Sequence, residues 1–273
     1  MQIAVTPALL DTLTRIAVRA SAAIVSIAQA DLATTRKADG SSVTRADRAA
    51  EDVILHDLAG SFPGAVIVSE EQYAAVCTSK EAATFFLVDP LDGTREFIAG
   101  SDEYTVNIAL IQGGVAVAGV VATPAQGMLW RGARALGAER LRFDVANADL
   151  GRPEPLRTRR WPYRNPVATV SRSHLDADTV ALLTRIEGIE PRPCGSALKF
   201  CRLAEGAADL YPRLAPTCEW DIAAGHAVLA AAGGVILTPN GEPLGYGATS
   251  VGFRVPAFVA WGDPEAARAF AAA

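Results

Sequence analysis

The chain has 273 residues, 50% of them hydrophobic, enough apolar material for one large or two modest packed domains. Charged residues make up 20%, and a formal net charge of -5 lacks the basic excess that polymeric nucleic acid demands. Asp11, Arg15 and Arg19 interrupt the apolar N-terminal stretch, which argues against a signal peptide or membrane span there. The expectation is a cytoplasmic protein, with peripheral association at the inner face of a membrane left open.

In chain order, Leu10, Leu13, Ile16, Ala20, Ile24 and Ile27 recur at three- and four-residue steps and predict a helix over 7–32. A second helix is expected over 44–60, with Ala46, Ala50, Val53, Ile54 and Leu58 as its buried stripe. The RKADGSSV segment between them reads as a solvated loop. Short β-rich runs follow at 65–69, 84–88, 105–111 and 115–123, with Gly113-Gly114 as a hairpin turn. Over 130–164 the chain is rich in Arg, Pro and Gly, holds no long apolar period, and is taken as a junction dividing 1–155 from 156–273. Beyond it, strands (VATV, VIL, AFVAW) alternate with helices expected at 178–186, 197–205 and 222–232, so the second half reads as an α/β layer.

Cys77, Cys194, Cys201 and Cys218 have no C-x-x-C spacing and fit reduced, mostly core thiols. His56, His174 and His226 have no H-x-x-x-H spacing, so a zinc site of nitrogen and sulfur ligands is disfavoured. Any bound metal must then be held by oxygen.

Acidic residues gather where strands end. Ser69-Glu70-Glu71 follows one apolar run and Asp89-Pro90-Leu91-Asp92-Gly93-Thr94 follows another, with Asp221 at a helix start after Trp220. D-P-x-D-G taken alone is an ordinary β-turn. So many carboxylates facing one crevice would repel one another unless cations or protons neutralised them, and Asp89, Asp92 and the Leu91 carbonyl offer the oxygens a hard cation wants. Thr44-x-x-Asp47 reads equally as a capping box or as a base that takes a proton relayed through Thr94. Gly195-Ser196 is expected to open a helix whose amides attract anions, with Lys199 one turn on; the plainer alternative is that Ser196 caps and Lys199 faces solvent.

The segments VTRAD, SEEQ, VDPLDGTREF and EWDIAAGHAVLAAAGG resemble, in order and over nearly the whole chain, the signatures of the inositol monophosphatase superfamily. GSDEYTVNIALI and GSALKFCRLAEGAADLYPRLAPTCEWD are most similar to its branch of 3'(2'),5'-bisphosphate nucleotidases, which turn adenosine 3',5'-bisphosphate into AMP in support of sulfur metabolism. The resemblance implies an α/β (α+β) fold of αβαβα layers in two tightly packed subdomains. It also implies two or three Mg²⁺ ions, held by Glu70, Asp89, the Leu91 carbonyl, Asp92 and Asp221, with inhibition by lithium. Asp47 and Thr94, with Glu70, are then the catalytic residues, and Glu71 is the least secure of the acids. Substrate contacts are expected from Gly93, Thr94, Gly195, Ser196, Lys199, Arg213 and Asp221.

Inositol monophosphatases carry a Tyr-Glu pair before the W-D motif, where this chain has Tyr211-Pro212-Arg213; a cation there favours a second phosphate over a polyol. The alternatives are an inositol, histidinol or sugar phosphatase, or a regulatory binding protein on the same fold. The expected partner is a small phosphorylated nucleotide, with no nucleic-acid polymer, no membrane span and room for a homodimer.

Overall fold

The computed structural model of the chain describes residues 2–27, 35–36, 42–73, 82–162, 164–173 and 175–271. Helix α1 (Pro7–Ser26) begins where the Thr6 hydroxyl accepts the Leu9 N–H and Pro7 fills the first turn. It ends before residue 32, because the Ser26 hydroxyl bonds back to Ala23 O at 2.8 Å and Ile27 leaves with extended backbone. Residues 28–32 of the expected helix lie outside the described residues. The expected loop carries a two-residue ladder at its ends, β1 (Thr35–Arg36) on β2 (Ser42–Val43). Helix α2 (Arg45–Ser61) follows, capped by Thr44.

A seven-stranded sheet then runs in chain order: β3 (Val66–Ser69), β4 (Thr84–Asp92), β5 (Thr105–Gln112), β6 (Val115–Thr123), β7 (Met128–Ala133), β8 (Gly137–Arg142) and β9 (Glu154–Leu156). Only β3–β4 is parallel within it. Gly113 and Gly114 both take positive φ, as a tight β5–β6 hairpin requires. A short helix α3 (Thr94–Ile98) leaves the end of β4. The stretch 130–164 is therefore not irregular throughout: β7, β8 and β9 extend the sheet there. They lack a clean apolar alternation because Arg131, on β7, pairs with both Asp11 and Glu139.

A five-stranded sheet follows, in the order β11-β10-β12-β16-β14. Its members are β10 (Val167–Ser171), β11 (Glu190–Cys194), β12 (Leu210–Arg213), β14 (Val235–Leu237) and β16 (Phe258–Trp261). Helices α4 (Ala177–Thr184), α5 (Leu198–Ala204), α6 (Glu219–Ala232) and α7 (Pro264–Ala271) connect it, and a small ladder joins β13 (Thr217–Cys218) to β15 (Arg254–Val255).

Alternation along β4 builds the layers. Phe86 and Val88 point to one face and pack with α1 and α2, while Phe85 and Leu87 point to the other and pack with α5 and α6. The far side of α5 and α6 meets Tyr211, Phe258 and Ala260 of the second sheet, whose outer face carries Leu183 of α4 and Ala267 of α7. The order is thus αβαβα, as the resemblance implied. Helix α6 is apolar on nearly every side because sheets cover it from both directions. Gly119 on β6 lets it approach closely: a Cβ there would lie 2.5 Å from Ala224 O.

Candidate active site

The site forms where β4 breaks. Asp89 pairs with Asn107 and Asp92 with Thr105, so three residue steps on β4 oppose two on β5, and one residue of Pro90-Leu91 is extruded as a bulge. The bulge turns Asp89 and Asp92 into one crevice. Asp89 accepts the Leu91 N–H at 3.1 Å, and the Leu91 carbonyl accepts the Thr94 hydroxyl at 3.2 Å. Gly93, at φ 91, then starts α3; a side chain there would collide with Ser196 Oγ at 2.2 Å.

Three elements bring further acids to this point. Glu70 follows β3, which runs parallel to β4, and its N–H donates to Val88 O at 3.1 Å. Asp221, in the first turn of α6, accepts the Cys218 N–H at 3.0 Å and the Thr217 hydroxyl. Carboxylate oxygens of Glu70, Asp89 and Asp221 lie within 4.8 Å of one another. Asp92 receives Asn107 Nδ2 at 3.4 Å and Thr105 Oγ1 at 3.5 Å. Burial, reinforced by Glu70, Asp92 and Asp221, pushes the Asp89 carboxyl well above its ordinary range. Burial and Asp221 push Asp92 up to about 7, with Lys199 opposing. A set of crowded, mutually repelling oxygens fits a hard divalent cation, which replaces the protons those acids otherwise need. His226 stands apart from this centre: it is buried against the Tyr246 hydroxyl at 2.7 Å and does not line the crevice.

Asp47 closes the capping box and also reaches Thr94. Its Oδ2 accepts the Thr44 N–H at 2.8 Å and the Thr44 hydroxyl at 2.5 Å, closing the capping box. Its Oδ1 faces the Thr94 hydroxyl at 3.1 Å. Burial raises its proton affinity, which suits a base, although these hydrogen bonds oppose the shift.

A crevice of roughly 370 Å³ is lined on one wall by Glu70, Asp89, Leu91, Asp92, Gly93 and Thr94, and on the other by Gly195, Ser196, Lys199 and Arg213, with Asp221 between. Glu71 is not among its lining residues. Gly195-Ser196 does not itself open the helix, and the plainer alternative fails for both Ser196 and Lys199. Ser196 does not cap α5: the helix begins at Leu198 after Ala197, without a side-chain cap, and Ser196, at φ 49, donates to Asp92 O (2.8 Å) and Glu103 O (2.9 Å). Lys199 does not face solvent: it is 6% exposed, and its ammonium donates to Ser196 O at 2.5 Å and lies 5.2 Å from the Tyr211 ring centre. Arg213, ending β12, donates from Nη2 to Pro216 O at 3.2 Å, whereas its buried Nε has no partner among the described residues. Cys194 is buried, which pushes its thiol pKa up, against an easily oxidised thiolate.

The sequence reading missed the residues that orient the acids, namely Thr105, Asn107 and Thr217, and the cation Arg254 on the crevice lining. A signal existed for the first two: in TVNIALI, polar side chains two apart share one face of an otherwise apolar strand.

The family profile described as the inositol monophosphatase family matches residues 9–265. The 3'(2'),5'-bisphosphate nucleotidase CysQ of Escherichia coli K12 is 40% identical over 210 residues, 77% of this chain and 81% of that protein. Its counterpart in Buchnera aphidicola is 35% identical over 222 residues, 78% and 77% of the two chains. Among solved structures, CysQ from Bacteroides thetaiotaomicron superposes with a TM-score of 0.76 at 34% identity, covering 92% of this chain and 96% of its own. A profile spanning nearly the whole chain, together with relatives 40% and 35% identical over most of it, means that the chain belongs to the inositol monophosphatase family of metal-dependent phosphatases.

Proposed function

We propose that this chain is a Mg²⁺-dependent 3'(2'),5'-bisphosphate nucleotidase that hydrolyses the 3'-phosphate of adenosine 3',5'-bisphosphate to give AMP and phosphate. The observation that carries the reading is one crevice with a carboxylate wall facing a wall that bears Lys199 and Arg213, the latter with a buried Nε that has no partner among the described residues. The first wall suits a phosphate bridged by cations, and the second suits another phosphate bound directly.

In this reading Glu70, Asp89, the Leu91 carbonyl, Asp92 and Asp221 hold Mg²⁺. Bound there, the ions supply positive charge against the phosphoryl oxygens and acidify the attacking water. The chain itself moves the proton: the water gives one to Thr94 Oγ1, which passes its own to Asp47 Oδ1 across 3.1 Å. Thr44 holds the other Asp47 oxygen, so the receiving atom stays aimed at Thr94. Water attacks phosphorus directly, without a phosphoenzyme. Gly195, Ser196, Lys199 and Arg213 form the side that receives the nucleotide, and Gly93 and Thr94 line the crevice opposite, Gly93 letting Ser196 pack against the β4 bulge. Two subdomains meeting near residues 155–156 and a cytoplasmic location complete the reading. No described helix is long and apolar enough to cross a membrane.

The test compares adenosine 3',5'-bisphosphate with 3'-AMP, which lacks the second phosphate. Wild type should favour the bisphosphate in kcat/KM, and Arg213→Ala should erase about tenfold or more of that preference, mostly through KM. Equal preference in both proteins would remove Arg213 as the reader of the second phosphate.

A further inference from the structure

The two walls of the crevice come from different sheets, and one side chain outside the crevice lining joins them. Glu103 lies between α3 and β5. Its Oε2 accepts the Gly195 N–H at 2.8 Å and both Nε (3.0 Å) and Nη2 (2.8 Å) of Arg172, just past β10. Its backbone carbonyl takes the Ser196 hydroxyl at 2.9 Å, and that same hydroxyl lies 2.8 Å from Asp92 O, in the bulge that presents the metal-binding acids. A second bridge runs alongside, from the Ser173 hydroxyl to Glu96 Oε1 at 2.5 Å.

The fit is close. A Cβ on Gly195 would stand 2.6 Å from Glu103 O, and one on Gly93 would stand 2.2 Å from Ser196 Oγ. Ser196 is held in the left-handed region at φ 49, an unfavourable conformation for a residue with a side chain, so its surroundings must impose it. That conformation has a consequence one turn later, because the Ser196 carbonyl it orients accepts the buried Lys199 ammonium at 2.5 Å. A line of contacts thus leads from Glu103 through Gly195 and Ser196 to Lys199, one of the cations facing the acids.

We propose that Glu103 is a positioning residue: by holding the Gly195–Ser196 turn against the β4 bulge, it fixes where the substrate-binding wall stands relative to the metal-binding wall. This rests on the reading of Lys199 and its neighbours as the substrate side. Glu103 acts on the loop of the second sheet and touches no metal-binding carboxylate, so its removal displaces substrate more than metal. The GSDE segment ahead of β5 thereby becomes the partner of GSALK.

The experiment uses Glu103→Ala and Glu103→Gln in the full chain, since Gln keeps an acceptor for the Gly195 amide. In Glu103→Ala, KM for adenosine 3',5'-bisphosphate should rise about tenfold, kcat should change far less, and Mg²⁺ affinity measured by calorimetry should stay within about twofold of wild type. Glu103→Gln should recover most of the KM. Hydrogen exchange of the Gly195 amide should accelerate in Glu103→Ala and remain slow in Glu103→Gln. An unchanged KM with a folded Glu103→Ala would overturn the proposal, as would a loss of Mg²⁺ affinity that matches the loss of turnover. If wild type hydrolyses no bisphosphate, the substrate reading falls and the amide decides here: faster exchange in Glu103→Ala supports the positioning role, and unchanged protection overturns it.

Discussion

At Asp47, one carboxylate serves two masters: one oxygen caps the start of α2 and the other faces Thr94. Thr94→Ala should therefore lower kcat by about 10²-fold or more while leaving Mg²⁺ affinity nearly unchanged, with Thr94→Ser restoring most of the rate. Asp47→Asn should show the same kinetic loss plus about 0.5–2 kcal/mol of destabilisation from the weakened cap, measured by urea unfolding. Asp92→Asn removes a ligand charge and should lower turnover at least about 100-fold with the fold retained; wild-type rates in that variant would exclude the metal reading and favour a regulatory role. The acids were legible from sequence because Asp, Glu, Pro and Gly cluster visibly at strand ends. The hydroxyls and amide that aim them were not, since Thr105 and Asn107 come from the neighbouring strand and only register brings them to Asp92, while Thr217 reaches Asp221 only through the turn that starts α6. The helix start was placed two residues early for a related reason: Gly195-Ser196 looks like a helix opening, and only the contacts of the Ser196 hydroxyl with Asp92 O and Glu103 O show that the turn is held apart from the helix that begins at Leu198.

Among elements, β4, β5 and β6 were readable as long apolar runs, and α2 by the three- and four-residue spacing of its buried stripe. The strands β7, β8 and β9 were not: they are short and carry Arg131, Arg140 and Glu154, whose charges are paired across the sheet or with α1 and Glu205. Likewise β11 reads as a loop, since Pro191 and Pro193 interrupt it, and prolines are tolerated because β11 is a sheet edge with a single neighbour. Helix α6 ties the halves together, and its distance from the first sheet is set by Gly119. Gly119→Ala would press a methyl against the Ala224 backbone, which cannot rotate away, and should cost about 1–3 kcal/mol in urea unfolding. An unchanged midpoint would mean that α6 is more loosely seated than its packing indicates.

For the molecule as a whole, the acidic centre links stability to cation and pH. Asp89 and Asp92 bind protons more tightly when folded than the ordinary carboxylate value of 3.8 allows. In the cation-free protein, their protonation therefore favours the fold fully below 3.8, and that contribution is lost as pH rises, through about 7 for Asp92. A divalent cation needs the deprotonated oxygens, so it stabilises most where protons no longer do. The rise in Tm on adding Mg²⁺ should accordingly be small near about pH 5 and grow toward about pH 8; a rise independent of pH would place the cation elsewhere. The most direct measurement of the central claim is phosphate release from adenosine 3',5'-bisphosphate and from inositol 1-phosphate, at equal concentration with Mg²⁺, with and without EDTA. Release should be abolished by EDTA and should strongly favour the bisphosphate; preference for inositol 1-phosphate, or no release from either, would exclude a metal-dependent bisphosphate nucleotidase.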